Sequence, residues 1–592
     1  MRTSSSEFTA DRGGAGRRSA RQLALAALTL ALASAAAAPV AGASSNLLFG
    51  FTDNAPLSVG TKATGPALAL GARGFGYFLL WGPGKTGLTQ AEATGLARAI
   101  GSSGGARVVV VLRTEGANTP LSDLAQQQFC NYARSMVRTF PSVNDVVIGN
   151  EANAPFFWRP QFKPDGSPAS PAAYEALLAR CYDVLHAERP AINVAAPGTS
   201  PHGNDNPNAV NNVSNSPTKF IRGIAAAYRA SGRTRRIFDT VVHHPYGDTN
   251  DERPYAMHPG PYFVGEGDWN KLVATYREAF AGTAQAVPGR CLPPAPCVPI
   301  WYLEAGFQTS VRPGLYFGGE NVPVVPDVGP AEPLSPSPLV TSSAPDQATQ
   351  LRYALRLAYC QPYVEAVFNF LIKDDANLLG YQSGILWADW RPKGSYGALA
   401  KVVADVQSGN VSCGAPSAPT SVSVQALAGP PRVAVRWGAS SSAIGVSGYR
   451  VYRNGDVIAT VPGLSYVDTE IAAADGYTYT VRGFDAAGQT GDASSNAVVS
   501  EATLAAVAAQ SSSRSAGCGP LKVRGRSFRI SIVRGKVSCG VARGAIHAFI
   551  SRHRSPKRWR CLRPRGNAKW AVACTKAKRG HVRVIIRAFR AK

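Results

Sequence analysis

The chain has 592 residues, with 62 Lys and Arg against 37 Asp and Glu, a formal net charge of +25 and ten cysteines. That length is too great for one ordinary domain and predicts about two to four. No segment beyond residue 43 reaches the roughly 18 uninterrupted apolar residues of a membrane span. The charge is lopsided: residues 515–592 hold 22 Lys and Arg with no Asp or Glu, and residues 1–43 hold five Arg with two acids. Residues 44–514 therefore carry no net charge, and the high pI says nothing about their chemistry.

Residues 1–43 read as an export signal. Arg12, Arg17, Arg18 and Arg21 precede the apolar run Leu23–Ala38, and Ala41-Gly42-Ala43 is a small-residue cleavage site. A secreted, extracellular protein is expected, with no membrane span after cleavage. The cysteines divide evenly, six before residue 414 and four after 514, as expected of disulfides in an exported chain. Cys291–Cys297 pair by proximity, Cys360–Cys413 would staple the end of the first domain, and the other pairings stay open. No Cys-x-x-Cys spacing suggests zinc.

Residues 44–412 alternate strand-like and helix-like runs, the pattern of βα units around a parallel sheet. Strands are placed at Leu47–Thr52, Gly74–Trp81, Arg107–Leu112, Asp145–Asn150, Ile192–Ala196, Phe238–His243, Val298–Glu304 and Ala366–Leu371. Helical stretches between them include Ala91–Ile100, Ala125–Arg138, Ala172–His186, Phe220–Ala230, Asn270–Ala279 and Gln347–Cys360. Eight such strands predict a TIM-type (β/α)₈ barrel, and no Gly-rich phosphate turn follows the first strand to favour a doubly wound sheet. The long segments Asn153–Pro171, His244–Trp269 and Gln308–Asp346 follow strand ends, as cleft walls would. They and the last loop carry Phe156, Phe157, Trp158, Tyr246, Tyr255, Tyr262, Trp269, Trp387 and Trp390, side chains able to stack on sugar rings.

A linker over 413–421 leads to residues 422–500, which change to short alternating strands with turn signals. Val433–Trp437 ends in a core Trp, Asn454-Gly455 is a hairpin turn, and Tyr477–Val481 has the form of a tyrosine-corner strand. The stretch resembles a fibronectin type III sandwich, a spacer between enzyme and surface. The Ala/Ser-rich segment 501–516 reads as a flexible linker. The remaining 517–592 read as a small basic α+β domain with two disulfides, strands at Ser527–Val533 and Val582–Phe589, and a helix at Ala542–Ser551. Its charge calls for a polyanion; export points to an anionic cell-wall polymer rather than nucleic acid.

Two strand ends carry the chemistry. Val146-Val147-Ile148-Gly149-Asn150-Glu151 closes the fourth strand, and Trp301-Tyr302-Leu303-Glu304-Ala305-Gly306 closes the seventh. Retaining glycosidases need two carboxyl groups roughly 5–5.5 Å apart, one as nucleophile and one as acid then base. Strands four and seven of a barrel face one another across its mouth. These residues, with His244-Pro245-Tyr246 after strand six, resemble glycoside hydrolase clan A, and most nearly its cellulase-like family 5. That resemblance implies Glu151 as acid/base, Glu304 as nucleophile, Asn150 as donor to the sugar 2-hydroxyl and Tyr246 steadying Glu304. His244 would line the cleft, Trp387 and Trp158 would serve as sugar contacts, and the protein would act as a monomer without cofactor.

Two departures stand out. The family's Trp-Asn-Glu-Pro is here Gly149-Asn150-Glu151-Ala152, which frees the turn after the acid. The Arg such enzymes often carry on strand two falls at Gly76, leaving Arg113 to supply that charge. His243 and His244, adjacent on a strand, point to opposite faces and cannot simply share a metal with His258, Glu266 and Asp268. The competing expectation is a catalytically degenerate barrel that binds carbohydrate at a cell wall.

Overall fold

The computed structural model describes residues 47–592 except 293–296, 310–323, 328–344, 429, 473, 515–516, 535–536, 564–570, 579–580 and 591–592. The export segment and most of the 308–346 loop lie outside the described residues.

Eight parallel strands close into a barrel in chain order: β1 (Leu48–Thr52), β2 (Gly74–Leu80), β3 (Arg107–Arg113), β4 (Asp145–Ile148), β5 (Asn193–Thr199), β6 (Thr240–His243), β7 (Ile300–Ala305) and β8 (Val364–Asn369). All eight expected strands are present, with ends shifted by a few residues. Most read as near-continuous apolar runs rather than alternations because both faces are covered. Val109, Val111, Val147, Val242, Leu303 and Phe368 fill the interior, while alternate residues such as Val110, Val146 and Tyr302 pack outward against the helices. Each such fully buried side chain contributes about 1.5–3 kcal/mol. The seam is tight where Gly50 and Gly74 face Phe368: a Cβ at Gly50 would lie 2.6 Å from the Gly74 carbonyl and 2.7 Å from the Phe368 ring.

Helices 90–102, 123–139, 170–188, 217–230, 269–279 and 347–360 ring the barrel, joined by 55–59, 61–69 and 395–407, which the sequence reading did not single out. Thr89 and Glu92 form a capping box, and Ser122, Ser216 and Asp346 cap three more N-termini, satisfying amide donors that the helix itself leaves unpaired. Cys130–Cys181 ties helix 123–139 to helix 170–188, and Cys291–Cys297 and Cys360–Cys413 pair as expected.

The second domain is a sandwich of a three-stranded sheet, β13-β10-β9, and a four-stranded one, β12-β11-β14-β15. Its strands are β9 (Thr420–Ala426), β10 (Val433–Gly438), β11 (Gly448–Arg453), β12 (Asp456–Val461), β13 (Ser465–Asp468), β14 (Tyr477–Phe484) and β15 (Ala497–Val499). Trp437, Tyr449 and Tyr479 are in its core, and Asn454 and Gly455 turn the hairpin with φ of 52° and 96°. The Tyr479 hydroxyl donates to Asp468 Oδ2 at 2.8 Å.

One expectation is corrected here. Residues 501–514 are no flexible linker: Glu501–Arg514 is a helix, and Leu504 is buried in the sandwich core. The short linker 413–421 is anchored along its length: Cys413 is bonded to Cys360, the Ser417 amide donates to the Ser441 carbonyl, and β9 begins at Thr420. The sandwich is seated on the barrel. Ile444, Ala486 and Ala487 belong to the barrel's apolar cluster, and Gln361 Nε2 donates to the Ala486 carbonyl at 3.1 Å.

The last domain is a five-stranded antiparallel sheet in the order β16-β17-β20-β19-β18: β16 (Gly517–Val523), β17 (Arg526–Arg534), β18 (Arg560–Leu562), β19 (Val572–Lys578) and β20 (His581–Arg590). Helix 539–552 packs on one face through Ala542, Ala545, Ile546 and Ile550. Cys518–Cys539 and Cys561–Cys574 complete the two expected bridges.

Candidate active site

Glu151 sits three residues beyond the end of β4. Gly149, with φ of 80°, turns the chain there, and Glu151 itself has φ of 41°. That left-handed conformation is costly for a residue with a Cβ and gathers at functional positions. The turn is firmly held by backbone hydrogen bonds, with Ala152 after the glutamate. The Gly149 amide donates to the Leu112 carbonyl at 2.9 Å, the Glu151 amide to the Gly198 carbonyl at 2.7 Å, and the Ala154 amide back to the Glu151 carbonyl at 2.7 Å. Asn153 then pins the loop after β4 to that after β5, its side chain bonding to Ser200 and Asn215.

Glu304, on β7, is buried and faces Glu151. Tyr246 Oη donates to Glu304 Oε2 at 3.2 Å. His244 Nδ1 lies 2.9 Å from Glu151 Oε1 and 3.6 Å from Glu304 Oε1. One oxygen of each carboxyl group and one His244 nitrogen fall within 4.8 Å of one another. Among the described residues this trio is the group whose donors could converge on a cation.

Burial shifts the titrating groups around Glu304 from their ordinary values. Burial pushes Glu304 up to about 7, and the nearby Glu151 charge adds to the rise. His244, the Tyr246 hydrogen bond and the Arg113 charge oppose it. Burial also holds the His244 imidazole below its usual range, against the pull of Glu304, which favours its neutral form. Tyr246 is raised well above a normal phenol, by burial first and then by Glu304, and it remains a hydrogen-bond donor. His243 points away, between Thr199 Oγ1 at 2.8 Å and the Val264 carbonyl at 2.7 Å. The two adjacent histidines therefore take opposite faces, as the strand requires.

Asn150 is buried beside Glu151, and its Oδ1 has no hydrogen-bond partner among the described residues. Arg113, at the end of β3, lies over the rings of Phe78 and Phe157 at 5.9 and 6.0 Å. A Cβ at Gly76 would be 2.6 Å from Thr52 Oγ1, so no longer side chain fits on β2 at that point.

The aromatic expectations divide. Trp158 is 1% exposed and stacks edge-on against Tyr174 in the core, so it offers no face to a ligand. Trp387 is half-buried, with Lys393 Nζ 4.7 Å from its ring. Tyr255 is buried against Tyr353, and Trp269 Nε1 donates to the Pro362 carbonyl. Three rings beside the carboxylates were not singled out from the sequence. Phe78, Phe370 and Tyr381 are half-buried and form a chain to Tyr246, with centroids 6.2, 5.0 and 6.2 Å apart. Phe78 and Phe370 stand at the ends of β2 and β8, where an aromatic next to a strand end was the available signal.

No family model matches the chain. Curated relatives match short stretches: an alpha-amylase of Niallia circulans is 43% identical over 56 residues, 10% of this chain and 4% of that protein. Chitinase A1 of the same organism is 31% identical over 164 residues, 24% of this chain and 22% of that protein. The chain thus spans less than a quarter of either relative. Among solved structures, a glucosidase from Croceicoccus marinus overlaps 75% of this chain and 76% of its own at 12% identity, with a TM-score of 0.39. A likeness that loose carries no functional argument.

Proposed function

We propose that this protein is a secreted retaining glycoside hydrolase that cleaves O-glycosidic, β-linked bonds of a poly- or oligosaccharide. The observation that carries the reading is the pair of strand-end carboxyl groups, Glu151 and Glu304, within 4.8 Å and joined by His244. That separation suits direct attack by one carboxylate better than the roughly 6.5–9.5 Å of inverting enzymes, which must seat a water between the groups. Barrels build their active sites at this end, and the resemblance of Asn150-Glu151, Glu304 and His244-Pro245-Tyr246 to the clan A motifs supports the roles.

In the first step the Glu304 carboxylate attacks the anomeric carbon while the bond to the leaving oxygen breaks, and Glu151 gives that oxygen its proton. In the second, Glu151 takes a proton from water, the water oxygen bonds the anomeric carbon, and Glu304 is released. Tyr246 holds the attacking carboxylate, Asn150 donates to the sugar 2-hydroxyl, and Arg113 offsets negative charge. The rings of Phe78, Phe370 and Tyr381 exclude water and contact the sugar. The sandwich, fibronectin type III-like, is a spacer. Export rests on the apparent signal and five disulfides.

Glu304 is the more buried of the two carboxyl groups and is raised to about 7, an environment that also suits an acid. Azide separates the roles. With an activated aryl β-glycoside, Glu304→Ala plus azide should give the α-glycosyl azide, and Glu151→Ala plus azide the β-glycosyl azide. Exchanged products would reverse the roles. Undiminished turnover in Glu304→Ala would sink the hydrolase reading in favour of a barrel that only binds sugars, a reading favoured by the altered flanks of Glu151.

A further inference from the structure

We infer that the open face of the C-terminal sheet is a docking surface for a linear acidic polysaccharide, bound along a diagonal stripe of cations. Helix 539–552 covers the face carrying Phe528, Ile530, Val572, Ile586 and Ala588. The strand register sends the intervening residues to the opposite face. There Lys522 stands opposite Ser527 and Arg529 opposite Phe589. Arg587 is opposite Ser531 and Ala573, and Arg560 is opposite Thr575.

These four cations step in one direction across the sheet. Lys522 on β16, Arg529 on β17 and Arg587 on β20 each advance one strand and two residues. Arg560 on β18 continues the line two strands on, one residue pair further. A step of about 4.8 Å between strands and about 6.8 Å along them separates the first three charges by about 8 Å, and the two-strand step to Arg560 by about 12 Å. Lys522, Arg529 and Arg560 are exposed and Arg587 is half-buried. Such a stripe suits a ligand whose anions recur along a chain, and the planar guanidinium fork matches carboxylates in pairs.

Charge complementarity fixes the sign of the partner. Residues 515–592 contain no Asp or Glu, so the domain's side chains bring positive charge and no acidic group to this face. The composition also selects among polyanions. Proteins that hold single-stranded nucleic acid stack its bases on successive aromatic rings, whereas on this face Phe589 is the aromatic the register provides, half-buried among cations. Two disulfides in so small a domain fit an oxidising medium, where wall and matrix glycans are the abundant polyanions.

The experiment measures binding of the full chain to polygalacturonate by calorimetry, with the fully methyl-esterified polymer and single-stranded DNA alongside. The face variant is Lys522→Gln, Arg529→Gln, Arg560→Gln. The control variant, equal in charge, is Arg552→Gln, Arg554→Gln, Lys557→Gln, at the end of helix 539–552 and in the turn that follows it. Expected are binding that weakens steeply with salt, none to the esterified polymer, a loss of at least tenfold in the face variant and under threefold in the control. Equal losses in both variants would overturn the stripe, tighter binding of DNA would overturn the glycan, and no binding to either polymer would overturn the inference. Should the Gln variant misfold by circular dichroism, Arg529→Lys and Arg560→Lys together keep the charge and remove the fork; an unchanged affinity there would count against it. Hydrolysis of a neutral aryl glycoside is assayed separately and is expected to be unaffected, so failure of this inference leaves the hydrolase reading standing.

Discussion

At the tip of β7 Glu304 has exchanged water for Tyr246, His244 and the barrel wall, and its proton affinity records the exchange. If Glu304 attacks as a carboxylate, kcat/KM should rise with pH and level off above about 7. Tyr246→Phe removes a donor to the ionised form, so that limb should move to higher pH while kcat falls by about 10²-fold. The same burial acts on stability with a definite sign. A carboxyl group raised from 4.5 to about 7 by folding favours the folded state below its unfolded value, and that advantage is lost as pH rises through 7. Glu304→Gln should accordingly raise the melting temperature at pH 8, by the equivalent of about 2–3 kcal/mol, and change it little at pH 4. A dead but sturdier variant would identify Glu304 as a residue held against stability for its chemistry. Chelator treatment bears on the same trio: with the carboxyl groups acting as proton and sugar partners, EDTA should leave turnover unchanged.

At the scale of elements, the loops of the barrel mouth are held by a few buried polar groups. Lys393 Nζ reaches Thr309 Oγ1 and Asp374 Oδ1 at 2.8 Å and the Gln382 carbonyl at 3.0 Å, joining the loop after β7 to that after β8. Lys393→Met leaves Asp374 buried without its counter-ion, a loss of about 3–5 kcal/mol, to be read as a lower denaturant midpoint. Gly149→Ala places a Cβ 2.9 Å from the Tyr174 ring at a φ of 80°. A cost of about 1–3 kcal/mol and a fall in kcat larger than the change in KM would show that this turn aims Glu151. The strands were legible because a strand covered on both faces must be apolar throughout, and the two glutamates because each interrupts such a run at its end. What packs onto what was not legible. Trp158 and Phe157 are neighbours in an aromatic loop, yet one is core and the other lies beneath Arg113. Helix 501–514 was hidden by its Ala/Ser composition, which a flexible linker shares, although Ala favours helices and Leu504 supplies the apolar anchor. Strands β16, β18 and β19 are crowded with Lys, Arg and Gly, so alternation did not reveal them.

For the molecule as a whole, the barrel and sandwich share one apolar cluster rather than being strung on a tether. Gly445 has φ of 92°, and a Cβ there would fall 2.1 Å from the Tyr255 ring. Trp269 lies within 3.3 Å of the same construction at Gly488. The two domains should unfold in one calorimetric transition, and Ile444→Asp, which places a charge in their common cluster, should split it in two. The axis of the barrel and that of the sandwich are thereby fixed, and the basic domain follows a helix rather than a flexible strap.

The Cys360–Cys413 bridge also bears on how the ring of strands is kept shut. It spans 53 residues, a stretch that includes β8 and helix 395–407, and cross-linking a loop of that size withdraws about 4 kcal/mol of chain entropy from the unfolded ensemble. The last βα unit thus depends for its persistence on the oxidant in its surroundings, as does the β4 unit inside the Cys130–Cys181 loop. Under a thiol reductant, amide exchange should quicken in 395–407, at the junction of β8 with β1 and in helices 123–139 and 170–188, while β6 remains protected.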